Sequence, residues 1–257
     1  MNKNKEKVII GNLKMNGSLS FYESYLNTLR DGLCDLNSID IGLCVPYPYL
    51  AQAQHILNGS NISWGSQNIA KFEDGPHTGE VSASMLNDFG VQYVIVGHSE
   101  RSTAYCESNE NIADKFNAVK KYNMTPVLCV GENLIEREAG IMEKVVASQI
   151  ETIIKCYGAE IFSNSIIAYE PIWAIGTDMA ASPEQTNHMC NYIRELINQD
   201  ELNEINNLKI VYGGSLNAEN AVQLFGLESV DGGLIGRAAI NSEEFIRICR
   251  CVQSFES

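Results

Sequence analysis

Eight short apolar runs alternate with longer amphipathic stretches along this chain of 257 residues. The runs are rich in Val and Ile and show little alternation of apolar and polar positions, which is typical of strands buried on both faces of a parallel sheet. They cover residues 8–11, 41–45, 62–65, 93–97, 126–131, 166–169, 210–213 and 232–236. Strands that alternate with helices in this way predict a (β/α)8 barrel of the α/β class.

The stretches between the runs carry helix signals. Ser182 and Pro183 are residue types that favour a helix start, so a helix is predicted over residues 183–196. Apolar residues at helix-like intervals predict two further helices, over residues 134–157 and 243–251. No Pro/Ser-rich linker or block of charge interrupts the pattern, so we expect residues 1–257 to form one domain. An open doubly wound sheet is the alternative fold, but this number of units leaves no obvious edge strand for it.

The chain is strongly acidic, with 18 Lys and Arg against 32 Asp and Glu and a formal net charge of −14. Such a surface repels nucleic acid and anionic lipid, so neither is expected as a partner. No apolar stretch approaches the roughly 20 residues that a membrane-spanning helix needs. If the substrate is an anion, its site must be locally positive against this acidic background.

The eight cysteines are better explained as free thiols than as disulfides. Cys44 and Cys129 lie within apolar runs, where a free Cys behaves as a small hydrophobic residue, and no Cys-x-x-Cys pair occurs. The chain begins MNKNKEK with no apolar region after it, unlike a secretory signal. We therefore expect a cytoplasmic protein with reduced thiols, in which Cys129 is unreactive.

Candidate site residues follow five of the predicted strands. In a (β/α)8 barrel the active site forms at the carboxyl ends of the strands. The residues found there are Asn12 and Lys14, His98 and Glu100, Glu170, the Gly-Gly-Ser turn at 213–215, and Gly236 with Arg237. Each has an ordinary structural interpretation, as a hydrogen-bonded histidine, a solvated lysine or a simple turn. Their convergence on one mouth of the barrel predicts an active site.

Glu170 is the candidate that is hardest to explain structurally. It directly follows the apolar run Ile-Ile-Ala-Tyr and directly precedes Pro171, where the backbone does not easily enter a helix. Desolvation at the edge of a core disfavours the charged form of a carboxyl group and makes the carboxylate a better base. The sequence therefore favours Glu170 as a general base.

The two glycine turns predict a phosphate site. Gly214 and Ser215 precede a helix predicted to start near Asn217, and Gly236 precedes another short helical segment. Backbone N–H groups at helix starts bind anions, and phosphate sites of (β/α)8 barrels form at the last two loops. Such N–H groups, together with Lys14, would bind an anion without a basic surface.

Two loops have unusual compositions. Residues 171–177, with the sequence PIWAIGT, are mostly apolar without helical periodicity, which favours a lid that closes over substrate, with residues 179–181 as its far hinge. The alternative is a loop packed on the core. Residues 66–81 form a long connection with little apolar periodicity, and a loop of that length in a compact domain is more often functional or involved in assembly than idle.

The stretches GNLKMNG, VGHSERS, AYEPIWAIGT, YGGSLNAEN and DGGLIGRAAI, in this order and spacing, resemble the triosephosphate isomerase family over nearly the whole chain. The resemblance implies the interconversion of dihydroxyacetone phosphate and D-glyceraldehyde 3-phosphate, a step of glycolysis and gluconeogenesis, without metal or organic cofactor. It also implies a homodimer, in which Thr78 of the long loop reaches the site of the neighbouring subunit.

The resemblance also implies the roles of individual residues. Glu170 matches the base that moves a proton between two carbons through an enediolate, and His98 matches a neutral imidazole that polarises the carbonyl oxygen. Asn12 and Lys14 match the groups that stabilise the developing negative charge, and Glu100 matches the carboxylate near Lys14. The implied phosphate contacts are Gly176, Ser215, Gly236 and Arg237, the last two through their backbone.

Four positions depart from the family pattern. Leu13 replaces a Trp, which predicts a change in packing, and Ser102 replaces a frequent Arg, which removes a candidate for a surface ion pair. Asp178 replaces a Gly at the end of the lid, where its charge is expected to affect lid kinetics. Arg237 replaces the second Gly of the last phosphate turn, where the contact is made by the backbone.

Two rival functions fit less well. A sugar-phosphate aldolase or epimerase would need a Schiff-base Lys late in the barrel or a metal cluster, but Lys209 precedes its strand and the histidines are scattered. The other rival is an inactive relative that serves as a binding or structural subunit. It would not need to keep the acid/base pair of His98 and Glu170.

Overall fold

The computed structural model describes residues 7–176, 180–199 and 205–252. Eight parallel strands pair in sequence order, and the last pairs with the first to close a barrel. The strands are β1 (Val8–Asn12), β2 (Asp40–Val45), β3 (Ile62–Ser66), β4 (Tyr93–Val96), β5 (Thr125–Val130), β6 (Ile166–Tyr169), β7 (Lys209–Tyr212) and β8 (Gly232–Ile235). The predicted (β/α)8 fold is confirmed, and the open sheet is excluded.

Helices connect the strands and surround the barrel. In the described part of the chain they are α1 (Leu19–Leu33), α2 (Leu50–Leu57), α3 (Ala83–Asp88), α4 (Ser99–Tyr105), α5 (Asn109–Lys121), α6 (Leu134–Glu138), α7 (Met142–Tyr157), α8 (Pro183–Ile197), α9 (Ala218–Phe225) and α10 (Ser242–Cys251). The helices predicted over 183–196 and 243–251 are α8 and α10. The single helix predicted over 134–157 is wrong. Gly140 there has φ +69°, a left-handed conformation that ends α6 before α7 begins.

The core has two layers, one inside the barrel and one between the barrel and its helices. Ile10 of β1 points into the barrel interior with Cys44 and Cys129, whereas Ile9 packs against the helix layer. Most strand residues on both faces are thus buried, which explains why the strand sequences are largely apolar runs. The parallel register sets the carboxyl ends of all the strands at one mouth, where β1 ends opposite Cys44 of β2.

All eight cysteines are free thiols. Cys129 is 5% exposed, and burial, reinforced by the nearby Glu170 carboxylate, raises the pKa of its thiol well above the ordinary value. Because the thiolate is the reactive form, this shift disfavours reaction at Cys129. Among the helices of the described residues, none has the length and apolar character needed to cross a membrane.

Candidate active site

A cavity of about 290 Å³ opens at the carboxyl ends of the strands. Every predicted site residue except Glu100 lines it: Asn12, Lys14, His98, Glu170, Gly176, Ser215, Gly236 and Arg237. Glu100 lines an adjoining cavity, which it shares with Lys14 and His98. The fold therefore brings the residues that follow β1, β4, β6, β7 and β8 to one place.

Glu170 lies at the end of β6 and is only 2% exposed. Its N–H continues the pairing with β5 by donating to the Val130 carbonyl at 2.7 Å. Its Oε1 lies 3.2 Å from His98 Nε2, and its Oε2 accepts the Ser99 N–H at 3.3 Å. The carboxylate is thus held between the end of β6 and the start of α4.

Two glycines make room for Glu170. A Cβ at Gly131 would lie 1.8 Å from the Glu170 carbonyl oxygen, and a Cβ at Gly213 would lie 2.8 Å from Glu170 Cγ. A side chain at Gly131 would displace the backbone of Glu170, and one at Gly213 would displace its side chain. Gly213 was assigned from the sequence to the phosphate turn alone, and the role of Gly131 was missed. The only sequence signal for Gly131 was a glycine at the carboxyl end of a strand.

His98 is the N-cap of α4 and is 6% exposed. Its Nδ1 accepts the N–H of Glu100 at 3.2 Å. Because Nδ1 is an acceptor, the proton of the neutral ring resides on Nε2, which faces Glu170 and the cavity. The predicted position of His98 at a helix start is therefore confirmed, and its outward nitrogen is a hydrogen-bond donor.

Lys14 has φ +50°, a backbone conformation that is uncommon for residues other than glycine and that occurs often at functional sites. The Lys14 N–H donates to Asn12 Oδ1 at 3.0 Å, and Gln67 Nε2 donates to the Lys14 carbonyl at 3.0 Å. Lys14 Nζ lies 2.5 Å from Glu100 Oε1. Asn12 and Gln67 thus fix the backbone of Lys14, and Glu100 holds its ammonium group. Gln67 was not predicted.

The start of the predicted lid is tied to a buried carboxylate. Trp173 lies in a 3₁₀ turn (Ile172–Ala174), and its Nε1 donates to Glu132 Oε1 at 2.9 Å. The same oxygen accepts from the Tyr169 hydroxyl at 3.1 Å and from Arg137 at 3.2 Å. Ala174 is fully buried, so this part of the segment packs on the core. Sequence reasoning missed Glu132, because a glutamate after a strand gives no sign of its partners.

The far end of the same segment is also held by a side chain. The Ala181 N–H donates to the Tyr212 hydroxyl at 3.0 Å. A Cβ at Gly214 would lie 2.2 Å from that hydroxyl and 3.1 Å from Pro171, so glycine is required where β7 meets both ends of the segment. Thr177, Asp178 and Met179 lie outside the described residues, and the predictions for Asp178 and for Met179 as a hinge stay predictions.

The predicted anion site needs one correction. The first-turn N–H groups of α9 are used within the protein: those of Glu219 and Asn220 donate to Asn217 Oδ1, and that of Ala218 donates to Glu244 Oε1. The start of α9 is therefore not the anion site. The cavity is lined instead by the turn before α9, at Gly214 and Ser215, and by the 3₁₀ turn (Arg237–Ile240) that follows Gly236.

Comparison with known proteins identifies the family. The model of the family described as "Triosephosphate isomerase" matches residues 7–252. The chain belongs to the triosephosphate isomerase family. It is 46% identical to the triosephosphate isomerase of Nitrosomonas eutropha over 246 residues, which cover 96% of this chain and 98% of that protein. It is 44% identical to that of Dechloromonas aromatica and 46% identical to that of Thiobacillus denitrificans, with the same coverage of both chains.

The departures from the pattern of triosephosphate isomerases have different structural settings. Leu13 is fully buried in the helix-facing layer of the core, where an apolar side chain is required. Ser102 is exposed on α4, and nothing in the structure explains this substitution. Arg237 is exposed where it lines the cavity, at the first position of the 3₁₀ turn after β8.

Proposed function

We propose that this chain interconverts dihydroxyacetone phosphate and D-glyceraldehyde 3-phosphate. The observation that carries the proposal is the approach of Glu170 Oε1 to His98 Nε2 at 3.2 Å, in a cavity that also contains Lys14 and two glycine turns. A carboxylate base beside a hydrogen-bond donor is what proton transfer next to a carbonyl requires.

In this proposal Glu170 removes a proton from one carbon of the substrate and returns it to the neighbouring carbon, while the hydroxyl proton on the first carbon's oxygen passes to the oxygen of the second. His98 Nε2–H and the Lys14 ammonium group donate to the substrate oxygens, where negative charge develops in the enediolate. Asn12 supports Lys14 by accepting a hydrogen bond from its backbone N–H, and Glu100 orients its ammonium group. Donors that are held in place before the reaction stabilise the transition state without reorganisation.

The phosphate group is proposed to bind opposite the base. The turn at Gly214 and Ser215 and the turn at Gly236 and Arg237 would donate backbone N–H groups, and Gly176 would join them when the lid closes. A glycine with φ +71° in the lid allows its backbone to approach a ligand closely. Closure would exclude water and restrain loss of phosphate from the intermediate.

A coupled assay with D-glyceraldehyde 3-phosphate tests the proposal. We expect turnover at nanomolar enzyme and competitive inhibition by inorganic phosphate. Absence of turnover at micromolar enzyme would exclude the isomerase activity and favour an inactive relative. The aldolase alternative has little support, because Lys209 starts β7 at the opposite end of the barrel and pairs with Asp40 at 2.6 Å.

We also propose that the chain forms a homodimer through the loop between β3 and α3. Thr78 is exposed at the tip of this loop, and the adjoining cavity is lined by the exposed apolar side chains of Met15 and Tyr105, which are 94% and 70% exposed. Burial of such side chains favours association. In sedimentation at low micromolar concentration we expect a dimer, and a monomer would contradict the proposal. The cytoplasmic location stays a prediction from the sequence.

A further inference from the structure

The start of α10 has the sequence pattern of a capping box, but the box is not closed. Asn241 is the N-cap, and its Oδ1 accepts the N–H of Glu244 at 3.0 Å. In a complete box the side chain at the third helical position returns to the N-cap N–H, as it does in α6, α8 and α9. In α10 the Asn241 N–H donates to the Ala238 carbonyl instead. The Glu244 carboxylate is therefore used elsewhere.

The Glu244 carboxylate reaches the first turn of α9. Its Oε1 accepts the Ala218 N–H at 2.9 Å, between residues that are 26 positions apart in the chain. Its Oε2 lies 2.7 Å from an Arg247 guanidinium nitrogen, and its side chain is 22% exposed. One side chain thus joins the start of α9 to the start of α10.

These two helix starts follow the two halves of the proposed phosphate site. The turn at Gly214 and Ser215 leads into α9, and the turn at Gly236 and Arg237 leads into α10. Within the first half, Asn220 Nδ2 donates to the Ser215 carbonyl at 3.1 Å, but this bond does not reach the segment after β8. Glu244 crosses between the halves, and it also lines the cavity.

The Glu244 carboxylate has two opposed effects on a bound phosphate. Its charge repels the anion, although Arg247 and the positive ends of two helices offset part of that charge. Its hydrogen bond fixes the distance between the two turns that donate N–H groups. Small displacements of preorganised donors weaken anion binding strongly, so we expect the second effect to dominate.

We propose that Glu244 is a positioning residue for phosphate recognition: its bond to the Ala218 N–H holds the turn after β7 in register with the turn after β8. The proposal rests on the phosphate site of the proposed function. It predicts that loss of the hydrogen bond changes phosphate affinity more than loss of the charge.

Two variants separate these effects at Glu244. Glu244→Gln keeps an oxygen that accepts the Ala218 N–H but removes the charge, whereas Glu244→Asp keeps the charge on a side chain too short to reach. We expect the Kd of inorganic phosphate, measured by calorimetry, to rise about tenfold in Glu244→Asp and to stay within about twofold of the original value in Glu244→Gln. KM should follow Kd, with kcat changed less. Glu243→Gln, an exposed neighbour in the same turn, is the control and should leave Kd unchanged.

A third variant removes the donor and leaves the carboxylate in place. Ala218 is the first residue of α9, where Pro is well tolerated, and the extended backbone of Asn217 (φ −145°, ψ 174°) suits a following Pro. Ala218→Pro should raise the Kd of phosphate as Glu244→Asp does. The variant with both substitutions should bind phosphate no more weakly than either single variant, because both remove the same hydrogen bond. The proposal is overturned if Glu244→Asp or Ala218→Pro keeps the original Kd for phosphate. It is also overturned if Glu244→Gln binds phosphate as weakly as Glu244→Asp does. If the unmodified protein binds phosphate but shows no turnover, the proposed function is refuted and the proposal for Glu244 is not.

Discussion

Glu170 Oε1 lies 3.2 Å from His98 Nε2, while Glu170 Oε2 accepts the N–H of Ser99 at 3.3 Å. The proposed base and the proposed electrophile therefore contact each other. His98 Nε2–H is also the donor that would polarise the substrate carbonyl. Binding of substrate must consequently replace the Glu170 contact with a contact to the carbonyl oxygen, and the carboxylate must turn toward the carbon.

The first prediction concerns the base. Glu170→Gln keeps the size of the side chain and an oxygen that can accept the Ser99 N–H, but the amide cannot take up a proton. We expect kcat to fall by about 10²- to 10⁴-fold while KM changes little, because the loss falls on the transition state. Steady-state kinetics measure both, with Glu219→Gln, an exposed residue of α9, as the control. An unchanged kcat would rule out Glu170 as the base.

The second prediction concerns the tautomer of His98. Nδ1 accepts the Glu100 N–H at 3.2 Å, so the neutral ring should carry its proton on Nε2. Nitrogen NMR of the ¹⁵N-histidine protein should show this tautomer at neutral pH, with the signal assigned by its loss in His98→Asn. That variant should also lower kcat, since it removes the donor. A proton found on Nδ1 would contradict the proposed polarisation of the carbonyl.

The strands were predictable from sequence because both of their faces are buried. Ile9 and Ile10 are neighbours that pack in different layers, so apolar side chains are favoured at successive positions of a strand. The convergence of Glu170, His98 and Lys14 was predictable for a related reason, since the carboxyl ends of parallel strands meet at one mouth. These features depend on topology rather than on detailed packing.

The missed features depend on contacts between distant parts of the chain. The apolar spacing that predicted one helix continues through Ile141, but the left-handed backbone of Gly140 interrupts the helix there. Gly131 matters because the Glu170 carbonyl approaches it, and Glu132 matters because Trp173 donates to it. Nothing in the local sequence of either residue specifies its partner.

The third prediction concerns the space around the base. Gly213→Ala would place a Cβ 2.8 Å from Glu170 Cγ, so the carboxylate must shift or the strand ends must separate. We expect kcat to fall at least about tenfold, because small displacements of a catalytic group are costly. Gly59→Ala is the control: it has φ +79° and open space around it, so it should lose about 1 kcal/mol of stability and keep its activity. Equal kcat in the two variants would show that the close approach is unimportant.

The fourth prediction concerns the far end of the predicted lid. Burial raises the pKa of Tyr212 to about 12, so its hydroxyl stays neutral near physiological pH and accepts the Ala181 N–H at 3.0 Å. Tyr212→Phe removes this acceptor. We expect the free energy of unfolding to fall by about 1 kcal/mol and kcat to fall as well, because the lid loses an anchor. Tyr192→Phe, on α8, should change neither kcat nor KM, and an unaltered kcat in Tyr212→Phe would show that the anchor does not gate the site.

The last prediction uses the two tryptophans of the chain. Each donates its indole N–H to an oxygen: Trp173 to Glu132 Oε1 at 2.9 Å, and Trp64 to the Phe89 carbonyl at 2.6 Å. Trp173→Phe removes one donor from a fully buried carboxylate, so the free energy of unfolding should fall by about 1–3 kcal/mol. Trp64→Phe should also lower stability, because it removes a similar bond.

The two tryptophan variants should differ in activity. Trp173 lies at the start of the predicted lid. If this segment closes over substrate, the loss of Trp173 should weaken the binding of a phosphate-bearing analogue and lower kcat, because Glu132 no longer fixes the start of the segment. Trp64 in β3 does not line the site cavity, and its loss should leave both quantities unchanged. Urea unfolding and analogue titration on the same preparations separate the effects. If both variants lose stability and neither loses activity, the bond between Trp173 and Glu132 supports the fold alone.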